Sequence, residues 1–109
     1  MSYIYLVGWQ LGFRDAKRQL IECLLDGRID HELERSEIDV KNLLVTGAAS
    51  ADEVAEVIRR CRGNEYERSP HHFDEKIDVH IVKTTHGGTS WYIKWYYLDP
   101  NVMFISVHE

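Results

Sequence analysis

Apolar residues recur every three or four positions up to about residue 64, and every second position after it. The first period is helical and the second is that of strands. Phe13, Ala16, Leu20 and Leu24 fall on one stripe, with Arg14, Asp15, Lys17, Arg18 and Glu22 between them, and Gly27 closes the segment. Ser36 with Asp39 three residues on predicts a second helix start; Val40, Leu43 and Leu44 form its apolar face and Gly47 its end. Ser50 with Glu53 predicts a third helix, carrying Val54, Val57, Ile58 and Cys61 inward and Arg59, Arg60 and Arg62 in its last turn. Gly63-Asn64 stops it. The aromatic stretch 1–9 reads as a strand or an extended arm.

Beyond this point three segments alternate. Ile77, Val79 and Ile81 oppose Asp78, His80 and Val82. Trp91, Ile93, Trp95 and Tyr97 oppose Tyr92, Lys94 and Tyr96. Met103, Ile105 and Val107 oppose Val102, Phe104, Ser106 and His108. The connections, Thr84 to Ser90 with Gly87-Gly88 and Leu98-Asp99-Pro100-Asn101, have hairpin chemistry. Residues 65–69 add a short fourth strand. The expected fold is α+β, with two or three N-terminal helices on one face of a small antiparallel sheet. No repeat or linker divides the chain, so 1–109 is read as one domain, 1–64 mainly helical and 65–109 stranded.

The hairpins bring distant side chains together. A first loop centred near Gly87 sets His80 opposite Lys94 and Val82 opposite Tyr92. A second centred near Pro100 sets Lys94 opposite Ser106 and Tyr92 opposite His108. Opposed Cβ atoms lie only about 4.5–5.5 Å apart. His80, Lys94, Tyr92, Ser106 and His108 would then share the face turned away from the core. A slip of one residue would scatter them.

Composition narrows the function. The chain holds 13 Lys+Arg against 18 Asp+Glu, a net of −5. Residues 1–64 carry 9 basic and 11 acidic groups and residues 65–109 carry 4 and 7, so neither part is a basic nucleic-acid arm. With 44% apolar residues the chain is globular rather than disordered. No apolar run approaches the roughly 20 residues of a membrane span, and no secretory signal is present, so a cytoplasmic protein is expected. Cys23 and Cys61 sit in helical patterns without a CxxC and read as buried thiols.

Histidine is unevenly placed: five of the six (His71, His72, His80, His86, His108) lie beyond residue 70. Two imidazoles, a lysine and a tyrosine supply acids, bases and positive charge around a phosphodiester, where one group removes a 2′-OH proton and another protonates the leaving 5′ oxygen. Arg68, His71, His72 and Asp74 precede the meander and would add to the site from its rim, Arg68, His71 and His72 acting with Ser106 as RNA-binding groups. Adjacent His71 and His72 point apart in an extended segment, so no metal or other cofactor is expected.

Gly88, Trp91-Tyr92-Ile93-Lys94 and the closing Phe104-Ile105-Ser106-Val107-His108-Glu109 resemble the motility quorum-sensing regulator (MqsR) toxins of the RelE-like group. Those proteins carry a Tyr-aliphatic-Lys strand and end on Ser-Phe-Lys-Glu. Val57-Ile58 and Tyr66 to Ser69 resemble the family's helix end and Tyr-Lys-Ser segment, so the likeness covers about residues 54–109. It implies a metal-independent endoribonuclease acting on mRNA and paired with an antitoxin protein. By position, Tyr92 would be its active-site tyrosine, His108 would replace its C-terminal catalytic lysine, and Arg68 would stand nearest the lysine of Tyr-Lys-Ser. The expectation is a toxin-like endoribonuclease with His108, His80, Lys94 and Tyr92 as catalytic groups. The alternative is a non-catalytic, antitoxin- or immunity-like interaction domain, which the acidic charge suits.

Overall fold

The computed structural model describes residues 12–32 and 42–109. Helix α1 (Phe13–Asp26) buries Ala16, Leu20, Cys23 and Leu24, and ends where Gly27 takes a left-handed φ of 75° and returns its N–H to Cys23. Strand β1 (Ile29–His31) follows at once. Helix α2 (Leu43–Thr46) is a single turn, capped by Asn42, whose side chain accepts the N–H groups of Leu44 and Val45. Helix α3 (Ala51–Arg60) starts on Ser50, whose hydroxyl accepts from Glu53 N, and buries Val54, Ala55, Val57 and Ile58. Its terminal Arg59 and Arg60 both bond Glu56, at 2.6 and 2.7 Å. A 3₁₀ turn (Gly63–Glu65) leads into β2 (Tyr66–Pro70), β3 (Asp78–His86), β4 (Thr89–Leu98) and β5 (Asn101–His108). The expected helix start at Ser36 and the stretch 1–9 lie outside the described residues.

The sheet order is β1-β5-β4-β3-β2. The meander β2 to β5 is antiparallel, as its alternation implies. β1 adds a parallel edge beside β5, Ile29 opposite Val102 and His31 opposite Phe104, so the sheet is mixed. A three-residue strand carries too little alternation to be seen in sequence. The helices cover one face. Leu20, Cys23 and Leu24 of α1 and Val54, Val57 and Ile58 of α3 pack with Val82, Trp91, Ile93, Trp95, Val102, Phe104 and Val107 of the sheet. A separate apolar group, Val79, Tyr96 and Ile105 with Ile77, Ile81 and Met103, occupies the other face.

Both hairpins close on two-residue turns. His86 pairs with Thr89, and Gly87 and Gly88 hold φ of 60° and 81°, the backbone that a tight hairpin turn of the primed type demands. A turn centred between the two glycines, not on Gly87, moves β3 by one residue against the expected register. His80 lies opposite Trp95, Ile81 opposite Lys94 and Lys83 opposite Tyr92. The expected pairs of His80 with Lys94 and Val82 with Tyr92 are thereby corrected. The second turn is also shorter than expected, with Leu98 opposite Asn101, but a bulge at Lys94/Trp95 adds one residue back on β5. Lys94 therefore lies opposite Ser106, and Tyr92 opposite His108.

Candidate functional site

Tyr92 and Lys94 project from β4, and Ser106 and His108 from β5, onto the face opposite the helices. The Tyr92 and His108 rings stack with centroids 5.0 Å apart and planes 17° from parallel. The His108 Nδ1 donates to the Glu109 carbonyl at 3.1 Å, which leaves Nε2 with its lone pair in the neutral ring. Lys83, directly opposite Tyr92 on β3, brings its ammonium to 5.9 Å from the Tyr92 ring centroid, and holds Glu67 at 3.5 Å. Ser106 is buried, whereas Tyr92, Lys94 and His108 are half-buried. The face is not uniformly polar, because Val79, Tyr96 and Ile105 are buried on it too.

His80 is elsewhere. The one-residue shift of β3 turns it to the helix side, where it packs against the Trp95 ring at 5.4 Å and bonds the Tyr66 hydroxyl at 2.7 Å. Burial pushes its pKa down to about 4, so it is neutral at physiological pH. Arg68 pairs with His80 across β2 and β3 and so shares that side, with Asp78 at 4.0 Å. His80 and Arg68 do not belong to the cluster around Lys94. Deep burial with a low proton affinity also removes His80 as a partner that exchanges protons with a ligand on the other face.

His71 does reach the face of Lys94, but as part of a different arrangement. Its ring meets the Tyr96 ring edge-on at 4.8 Å. Its Nε2 lies 3.3 Å from Glu32 Oε2, and its Nδ1 accepts the Phe73 N–H at 3.1 Å. His72 is exposed and stacks on His71 at 5.0 Å and on Phe73 at 4.0 Å, so the two imidazoles do not point apart as expected, because the chain bends at residues 72–73 instead of running on extended from β2. Among the described residues no group of three or more His, Cys, Asp or Glu side chains is placed to hold a metal ion.

No protein-family model matches the chain, and no curated protein matches it. What the site can do follows from its own chemistry. Among the described residues it offers an imidazole whose Nδ1 alone is hydrogen-bonded, a phenol stacked on it, a buried hydroxyl and two ammonium groups. That set can move a proton and bind an anion. Sequence alone does not anticipate Lys83, since Val82 is expected in its place. The signal for it is Gly87-Gly88 itself: two adjacent glycines between alternating segments favour a two-residue turn over a longer loop. Among the described residues no helix is long and apolar enough to cross a membrane.

Proposed function

We propose that the face carrying Tyr92, Lys94, Ser106 and His108 binds RNA and cleaves it without a metal, as a toxin-like endoribonuclease with an antitoxin partner. The observation that carries this reading is the paired, stacked placement of Tyr92 and His108, with Lys83 and Lys94 beside them. In this mechanism His108 Nε2 takes the 2′-OH proton, and Lys94 and Lys83 offset charge on the phosphorane. Tyr92 orients the imidazole by stacking and protonates the leaving 5′ oxygen. His80 and Arg68 have no part in it. The test is cleavage of a mixed-sequence RNA by purified protein in excess chelator, with His108→Ala and Tyr92→Phe alongside. Loss of cleavage of at least about 100-fold in His108→Ala is expected for an acid–base group. Equal cleavage by wild type and His108→Ala would defeat the assignment.

A second reading is a non-catalytic interaction domain. The net charge of −5 and the 80% exposed ring of Phe73 favour it. A wild-type protein that neither binds nor cleaves RNA, yet forms a stoichiometric complex with a basic partner protein, would decide for this reading.

A further inference from the structure

Three distant parts of the chain meet at one carboxylate oxygen. Glu32 follows β1 and is fixed there by its N–H, which bonds the Phe104 carbonyl at 3.0 Å. Its Oε2 accepts from the Tyr96 hydroxyl at 2.7 Å and from His71 Nε2 at 3.3 Å. His71 is 6% exposed and opens the loop between β2 and β3, whose ends are drawn together by His71 N to the Ile77 carbonyl at 2.9 Å. The second imidazole nitrogen is also occupied, because Nδ1 accepts the Phe73 N–H. A backbone N–H can only donate, so Nδ1 is bare and the proton of the neutral ring sits on Nε2. The geometry thus selects the tautomer of the neutral His71 ring.

Protonation acts on these two bonds in opposite directions. A proton on Nδ1 makes that nitrogen a donor facing another donor, the Phe73 N–H, and that bond is lost. The same charge converts the contact with Glu32 into an ion pair and strengthens it. Among the described residues, the other titratable groups in contact with this arrangement are Tyr96 from β4, whose hydroxyl donates a hydrogen bond to Glu32, and His72, stacked on the ring, with Asp74 further along the same loop. The Asp74 side chain accepts the Lys76 N–H at 3.0 Å. Imidazole is the side chain that ordinarily changes charge between pH 5 and 8.

The geometry points to a proton-operated latch: on acidification the His71 ring stays clamped to the sheet through Glu32, while the Phe73 turn is released. The segment freed is the one that carries the exposed Phe73 and His72 rings, so the shape of this rim changes with pH. This holds whether or not the neighbouring face cleaves RNA.

The experiment is NMR of the full chain between pH 8 and 5. At pH 8 the ¹⁵N shifts of His71 should show the Nε2–H tautomer. Through the His71 titration, protection of the Phe73 amide, corrected for the intrinsic pH dependence of exchange, should fall about tenfold, the loss of one backbone hydrogen bond. His71→Gln should abolish that pH response, and His72→Gln should leave it in place. An Nδ1–H tautomer at pH 8, constant Phe73 protection across the His71 titration, or a response lost with His72 would each overturn the proposal. The first two readouts use wild-type protein, so a failure of either variant to fold leaves the test standing.

Discussion

Acidification should destabilise the fold through His80. Its ring lies between Trp95 and Tyr66, is 3% exposed, and stays neutral down to about pH 4 against an ordinary 6.5. Above pH 6.5 the ring is neutral in both folded and unfolded chains and pH has no effect through it. Between 6.5 and 4 the unfolded chain takes up a proton that the folded chain refuses, so stability is lost as pH falls. Below about 4 both forms are charged and the loss levels off. The full difference corresponds to about 3 kcal/mol, most of it lost by pH 4.5, a substantial part of the stability of a small domain. The assay is urea unfolding at pH 7.0, 5.5 and 4.5 for wild type and His80→Gln. Glutamine retains an amide to bond the Tyr66 hydroxyl but does not titrate. His31, whose pKa burial also lowers, contributes in the same direction in both proteins and cancels in the comparison. Wild type should lose about 2–3 kcal/mol more than His80→Gln between pH 7.0 and 4.5. Parallel pH profiles would refute the reasoning and place His80 where it charges freely.

Two further outcomes follow from the packing. Asn42 is fully buried, caps α2 through two backbone N–H groups and donates its amide to His31 Nδ1 at 2.9 Å, so Asn42→Ala should cost about 2–3 kcal/mol by thermal or chemical unfolding; a cost below about 0.5 would contradict it. Gly88 has open space where a Cβ would stand but a φ of 81°, so Gly88→Ala should cost about 1 kcal/mol from backbone conformation alone, and an unchanged urea midpoint would count against the tight turn.

Much of the architecture is legible in the chain, and the exceptions have physical causes. The stripe of Leu20 and Leu24 and that of Val54, Val57 and Ile58 stand out because each helix buries only one side. Gly27 and Gly47 end their helices in the left-handed conformation that their positions suggest. Strand β3 is different. Val79 and Ile81 are apolar on one face and Val82 on the other, and the sheet buries hydrophobic groups on both sides. Alternation alone therefore cannot choose the face, and the turn decides. Reading Gly87-Gly88 as the tip of a longer loop places His80 with Lys94; a two-residue turn places it against Trp95. The Tyr92–His108 and Lys94–Ser106 pairs arise from two compensating departures, a shorter turn and a bulge at Lys94/Trp95 that sequence does not reveal. The meeting of Glu32 with His71 and Tyr96 has no local signature, because it joins segments 39 and 64 residues apart.

The claim that the working surface is the face opposite the helices can be tested by mapping backbone amide shifts on addition of a 2′-O-methyl RNA oligonucleotide, which binds but lacks the attacking hydroxyl. The largest changes are expected at Tyr92, Lys94 and His108, and at Lys83 beside them, with His80 and Arg68 on the helix side unmoved. Shifts concentrated at Arg68 and His80, or none at saturating oligonucleotide, would contradict the account.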